Sequence, residues 1–67
     1  MYLKKLTSKK QKQYSERVPF VSGTWYLKMN EDGTEARNAR GSSLVTCMDD
    51  NELRYALANG EFTRVVI

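Results

Sequence analysis

The fold is decided by residues 44–67, which read LVTCMDDNELRYALANGEFTRVVI. Asp49 is placed to cap a helix, and Glu52 follows three residues later, which is the spacing of a capping box. Apolar side chains recur at helical spacing from Leu53 onward. Gly60 then offers the left-handed residue that commonly ends a helix. This stretch predicts one well-capped helix.

Short apolar segments flank that helix on both sides. Leu44–Met48 precedes it, and Phe62–Ile67, rich in β-branched residues, follows it. The 12 residues from Asp49 to Gly60 are close to the shortest connection that joins parallel strands. The pattern therefore predicts a βαβ-like unit that closes the chain.

A further strand is predicted upstream over Thr24–Met29. Its residues alternate in character, and Trp25 falls on the apolar side, so it is expected in the core. Tyr26 and Lys28 fall on the other side. Because one helix covers only one face of a sheet, the second face is expected to be open to solvent, to the leading segment or to a partner.

Asp32-Gly33 after this strand is a strong hairpin-turn signal, since glycine adopts positive φ without strain. The returning segment, Thr34–Arg40, is poor in core residues and is predicted to be an exposed edge or a partly ordered ribbon. It carries Arg37 and Arg40, which are available to an anionic partner.

The leading segment, residues 1–18, is polar and holds six cations against Glu16, a net charge of +5. Residues 19–67 carry −2, so the total of +3 conceals a segregation of charge. We therefore expect a basic N-terminal arm over residues 1–18, flexible or a short helix begun by a Ser8–Gln11 capping box. Residues 19–67 are expected to form a single domain that stays folded without residues 1–12.

The fold class predicted from these patterns is α+β. We expect a small, mostly antiparallel sheet of about four strands and one well-capped helix, in the order arm-β-β-β-α-β. With 67 residues, the chain has room for one modest core.

Composition argues against several classes of function. The chain has no histidine and a single cysteine, Cys47, so neither an internal disulfide nor a His/Cys zinc site is expected. No glycine-rich phosphate loop is present, and the acidic run Asp49–Glu52 is explained by helix capping. We expect no enzymatic activity, catalytic residue, cofactor, metal site or membrane contact. The lone thiol favours a reduced, cytoplasmic setting.

Two functions fit the remaining features. The first is a small protein-binding regulator or inhibitor that docks on a larger protein with an acidic surface. The alternative is a nucleic-acid-binding protein whose lysines, with Arg37 and Arg40, contact phosphates and whose Tyr26 stacks on a base. Self-association into a homo-oligomer is compatible with both. The residues predicted to bind the partner are Lys4, Lys5, Lys9, Lys10, Lys12, Tyr26, Lys28, Arg37 and Arg40.

Overall fold

The computed structural model describes residues 1–67 and confirms a small α+β fold with a four-stranded sheet. Its elements, in chain order, are β1 (Tyr2–Lys5), α1 (Ser8–Arg17), β2 (Thr24–Met29), β3 (Val45–Met48), α2 (Asp50–Ala58) and β4 (Val65–Val66).

The sheet has the strand order β3-β2-β1-β4. β2 pairs antiparallel with both β3 and β1, and β1 pairs parallel with β4. In this register Leu3 lies opposite Lys28 on one side and Val65 on the other. The sheet is therefore mostly antiparallel, as the sequence predicts, and its one parallel pair involves the first strand.

The leading segment contains the predicted short helix, α1, but its first residues are not an arm, which corrects the predicted element order. Residues 2–5 form β1 in the interior of the sheet, and Leu3 is the most buried residue of the chain, at 0% exposure. Burial of this leucine between β2 and β4 stabilises the strand. Lys4 and Lys5 remain exposed, so forming the strand does not bury their charges. Deleting residues 1–12 would remove the strand that joins β2 to β4, so the truncated chain is expected to unfold.

The core lies between the sheet and α2. Leu3, Tyr26, Met48 and Ala56 form its buried cluster, and partly buried side chains of α2, β4 and the loop between them pack around it. Eight of the 67 residues are buried, so the core is thin and each of its members carries a large share of the stability.

The local signals of α2 are confirmed. The Asp49 side chain accepts a hydrogen bond from the Glu52 N–H at 2.8 Å, and Gly60 has φ +75° after the helix. The predicted βαβ-like unit is also present, since β3 and β4 run parallel and are joined by α2, but its two strands are not adjacent. β3 and β4 lie at opposite edges of the sheet, and α2 crosses both β2 and β1 to connect them. The place beside β3 is taken by β2, which forms the longer pairing.

The predicted turn and ribbon after β2 are present. Gly33 has φ +90° in the turn. Ala36 then inserts between β2 and the start of β3: its N–H donates to the Lys28 carbonyl and its carbonyl accepts from the Leu44 N–H, both at 3.0 Å. Only isolated bridges form along the returning segment, so it is an irregular ribbon and not a regular strand.

Candidate docking surface

α1 begins differently from the predicted capping box. Thr7 is the N-cap residue, and its side chain accepts from the Lys10 N–H at 3.4 Å. Ser8 is the first helical residue, and Gln11 does not return to the cap. The helix turns Gln11 and Tyr14 toward the sheet and leaves most of its other side chains in solvent.

Gln11 fixes α1 to β2 through its side-chain amide. Its Oε1 accepts from the Trp25 N–H, and its Nε2 donates to the Trp25 carbonyl, both at 2.7 Å. β1 ends at Lys5, so no residue of that strand lies opposite Trp25. The only backbone bond at this point is from the Leu6 N–H to the Trp25 carbonyl, at 3.2 Å. The primary amide therefore takes the place of one further strand residue.

Tyr14 packs on the face of the sheet opposite α2. Its ring stacks on Trp25 with centroids 5.1 Å apart, and the Arg17 guanidinium lies 6.0 Å from the Tyr14 centroid. Trp25 is 8% exposed, which confirms it as a core residue. α1 contacts the sheet at β2 alone, so the rest of this face is not covered by a helix. The open face is therefore the one that carries Trp25, not the one that carries Tyr26.

An exposed turn follows α1 directly. The Val21 N–H donates to the Val18 carbonyl at 3.3 Å, which closes a turn with Pro19 and Phe20 at its tip. Phe20 is 95% exposed, and the flanking valines are 36% and 41% exposed. Proline at the first tip position presets the backbone, so the aromatic ring is presented on a stiff support. We call Val18–Val21 the Phe20 turn.

The exposed surface of α1 is basic. Its cations, against the single carboxylate Glu16, are Lys9, Lys10, Lys12 and Arg17, which we call the α1 basic face. The chain has three ion pairs, and none of them includes a lysine or Arg17. The first turn of α1 holds no acidic residue, so its lysines lie at the positive end of the helix dipole without compensation.

The predicted cations of the sheet lie outside α1, and only Lys4 is on the same face of the sheet as this helix. Lys4 and Lys5 are exposed, but as successive strand residues they point to opposite faces of the sheet. Lys28 is half-buried, with its Nζ 5.9 Å from the Phe62 ring centroid.

Tyr26 requires a correction. The sequence places it on a face open to a partner, but α2 covers that face and leaves Tyr26 6% exposed in the core. Its ring is therefore not available for stacking on a base or for docking.

Arg37 and Arg40 lie at the opposite end of β2 from α1, beyond its last residue, Met29. The Arg37 guanidinium donates to the Gly41 carbonyl at 2.8 Å and pairs with Glu35 at 3.1 Å, so it serves the ribbon itself. Arg40 is exposed and forms no ion pair. Arg37 and Arg40 thus lie apart from the α1 basic face.

Cys47 is half-buried. Burial raises the pKa of its thiol, and the nearby carboxylates of Glu52 and Asp49 raise it further. The thiol is therefore poorly ionised near neutral pH and is a weak nucleophile. Nowhere in the chain do three His, Cys, Asp or Glu side chains gather closely enough to hold a metal ion.

Comparison with known proteins finds no match to this chain among protein families, curated proteins or solved structures. Neither of its helices has the length and apolar character needed to cross a membrane.

Two residues of this surface, Phe20 and Gln11, were not predicted from the sequence pattern. Phe20 stands in the run Val18-Pro19-Phe20-Val21, whose apolar content beside a proline is the only signal of an exposed aromatic. Gln11 gives no signal, because its role depends on Trp25, fourteen residues away, and on the end of β1.

Proposed function

We propose that this protein is a non-enzymatic, cytoplasmic regulator or inhibitor that acts by docking on a larger protein with an acidic surface. The observation that carries the proposal is Phe20, which is 95% exposed at the tip of a proline-containing turn directly after the α1 basic face.

Phe20 supplies the anchor. Burying a phenylalanine side chain contributes about 1.5–3 kcal/mol, and aromatic anchors in a partner's pocket commonly dominate an interface. The closed turn reduces the ordering that binding requires, since Pro19 already restricts the backbone. The flanking Val18 and Val21, both partly exposed, extend the apolar contact around the ring.

The α1 basic face supplies orientation. Its side chains have no carboxylate partner within the chain, so binding an acidic surface does not require breaking an existing ion pair. Complementary charge at the rim of an interface mainly raises the association rate and rejects wrong partners. Uncompensated lysines at the start of α1 lower helix stability by about 0.3–1 kcal/mol each, a cost that a binding role explains.

The test is affinity capture from a nuclease-treated native extract with three immobilised proteins. Phe20→Ser removes the anchor, and Ile67→Ser is the matched control, because Ile67 is an apolar residue that is 97% exposed and lies after β4. We expect a specific protein to be retained by the wild type and by the control and lost with Phe20→Ser. Identical retention by all three proteins would refute docking through Phe20.

A second measurement isolates the charges. With the captured protein purified, the double variant Lys9→Glu/Lys12→Glu should reduce the association rate at low salt by about tenfold, and the difference should shrink at high salt. An association rate unaffected by the charge reversal would remove the α1 basic face from the mechanism.

The alternative function is nucleic-acid binding. It is favoured by the exposure of Lys4, Lys5, Lys9, Lys10 and Lys12, none of which forms an ion pair. Together with Arg17 these would contact about six phosphates, so the logarithm of DNA affinity should fall with the logarithm of salt at a slope near −5. The burial of Tyr26 removes the one base-stacking group in this hypothesis. Capture that is abolished by nuclease would favour this function over protein docking.

A further inference from the structure

The outer side of β3 is an unpaired strand edge. Because the Lys28 N–H donates to the Leu44 carbonyl at 2.9 Å, alternate residues from Leu44 onward bond toward β2. The backbone groups of Val45 and Cys47 therefore point away from the sheet. Residues 45–48 read VTCM and contain no charge or proline, the features that usually protect such an edge. The opposite edge, β4, is only two residues long.

We infer that this edge pairs with β3 of a second copy of the chain, antiparallel about Thr46. In that register Val45 of one copy faces Cys47 of the other. The residues whose N–H and C=O groups point outward then bond to each other. Thr46 faces its own counterpart on the axis in a pair without backbone hydrogen bonds. Threonine pairs at such positions stabilise neighbouring strands.

Charge favours this arrangement over a parallel one. An axis at Thr46 brings the chain after β3 of one copy beside the chain before β3 of the other. Glu52 lies in the first turn of α2, just after β3, and Arg40 lies in the turn of the ribbon before β3. Asp49 and Asp50 are also on the acidic side, and Arg40 is exposed without an ion pair. Antiparallel pairing therefore sets acidic groups against Arg40, whereas a parallel pair would set acid against acid.

The exposure of Tyr55 beside β3 also favours a second copy of the chain at this edge. Tyr55 is 73% exposed and lines a groove of about 400 Å³ between α2 and β3. A continuous sheet keeps the α2 helices of both copies on the same face, where these rings lie beside the joint and lose solvent contact. A 67-residue domain with only eight buried residues gains stability from such an association.

Sedimentation equilibrium tests the pairing. Between about 1 μM and 1 mM protein, the mean mass should rise from 7.7 kDa toward twice that value. Thr46→Lys and Thr46→Glu should each weaken association roughly tenfold, because like charges meet on the axis, and mixing the two variants should restore it. Ser15→Lys and Ser15→Glu, at an exposed position of α1, are the controls and should associate like the wild type. Circular dichroism verifies that each variant is folded.

A disulfide tests the register independently. Cα atoms in an antiparallel pair without backbone hydrogen bonds are about 4.5 Å apart, within disulfide range. Thr46→Cys/Cys47→Ser should therefore form a covalent dimer under mild oxidation, whereas the wild type should form far less, because Cys47 faces Val45. This variant carries the test if a charge at Thr46 prevents folding. A monomer throughout the concentration range, charge variants that associate like the wild type, or no covalent dimer would overturn the inference. The Phe20→Ser variant should still dimerise, because the edge of β3 does not include the Phe20 turn. Loss of partner binding in that variant is therefore distinguishable from loss of self-association.

Discussion

The Gln11 side chain offers the sharpest test of how this fold is held together. One primary amide bonds to both the N–H and the carbonyl of Trp25 at 2.7 Å, and it ties α1 to the sheet at the point where β1 has ended. Replacing Gln11 with alanine removes both bonds, and a third from its Nε2 to the Leu6 carbonyl at 3.3 Å, while leaving the helix intact. The Trp25 carbonyl keeps the Leu6 N–H at 3.2 Å, but the Trp25 N–H loses its partner.

The expected loss follows from that difference. A partly buried N–H left without a partner costs about 1–3 kcal/mol. Alanine at position 11 regains a few tenths of a kcal/mol through its higher helix propensity. We therefore expect Gln11→Ala to lower the free energy of unfolding by about 2 kcal/mol. A domain of 67 residues has a total of about 3–10 kcal/mol, so the effect should be plain.

Urea denaturation followed by the fluorescence of Trp25, the only tryptophan, measures this loss. Gln13→Ala is the matched control, since Gln13 is an exposed glutamine on the same helix. Gln11→Glu separates the two bonds, because a carboxylate still accepts from the Trp25 N–H but does not donate to its carbonyl. Its loss should shrink when acid protonates the new side chain. If Gln11→Ala and Gln13→Ala agree within about 0.5 kcal/mol, the amide does not stabilise the fold as described.

Two further predictions concern the core and an exposed carboxylate. Leu3→Ala should lower the free energy of unfolding by about 2–5 kcal/mol, whereas Leu3→Met should cost less than about 1.5 kcal/mol; thermal melts that rank the two variants equally would contradict the central place of Leu3. The pKa of the Glu31 carboxyl lies below its ordinary value of 4.5, because it accepts from the Met1 ammonium and the Thr63 hydroxyl and lies near the Arg64 guanidinium. The contribution of Glu31 to stability is therefore complete above about pH 4.5 and is lost as acid titrates the folded protein below that value. Glu31→Gln should make the melting temperature fall less steeply with decreasing pH in this acid range. A variant whose melting temperature falls as steeply as that of the wild type would count against this role.

The elements that the sequence predicts correctly are those whose causes are local. The Asp49 cap of α2 and the left-handed Gly60 after it depend on residues three or four positions apart. The alternation of Thr24–Met29 and the Gly33 turn are local in the same sense. Each of these could be identified because local geometry sets the pattern.

β1 could not be identified in this way. It is four residues long and half lysine, so its charge suggests a solvated arm. What makes it a strand is pairing with β2 and β4, whose residues lie more than twenty positions away. The same long-range event places Leu3 in the core and converts a predicted arm into an interior strand.

In the candidate site, too, the features with local causes were predicted and those that depend on long-range contacts were not. Exposure of the lysines on α1 is as the sequence predicts, because long charged side chains remain in water wherever the backbone runs. The role of Tyr26 depended on which sheet face α2 covers, and alternation alone does not choose between two faces. Phe20 became conspicuous only after α1 and β2 were joined by a turn that holds the ring outward.

The sequence by itself determined the presence of α2, the strand over Thr24–Met29, the ribbon after it and the excess of positive charge in residues 1–18. The tertiary structure alone decided the strand order, the burial of Leu3 and Tyr26, and the solvent exposure of Phe20. The physical reason is distance along the chain. Caps and turns are stabilised by neighbouring residues, whereas a sheet's order and its covered face depend on the summed burial of segments that meet only when the chain folds.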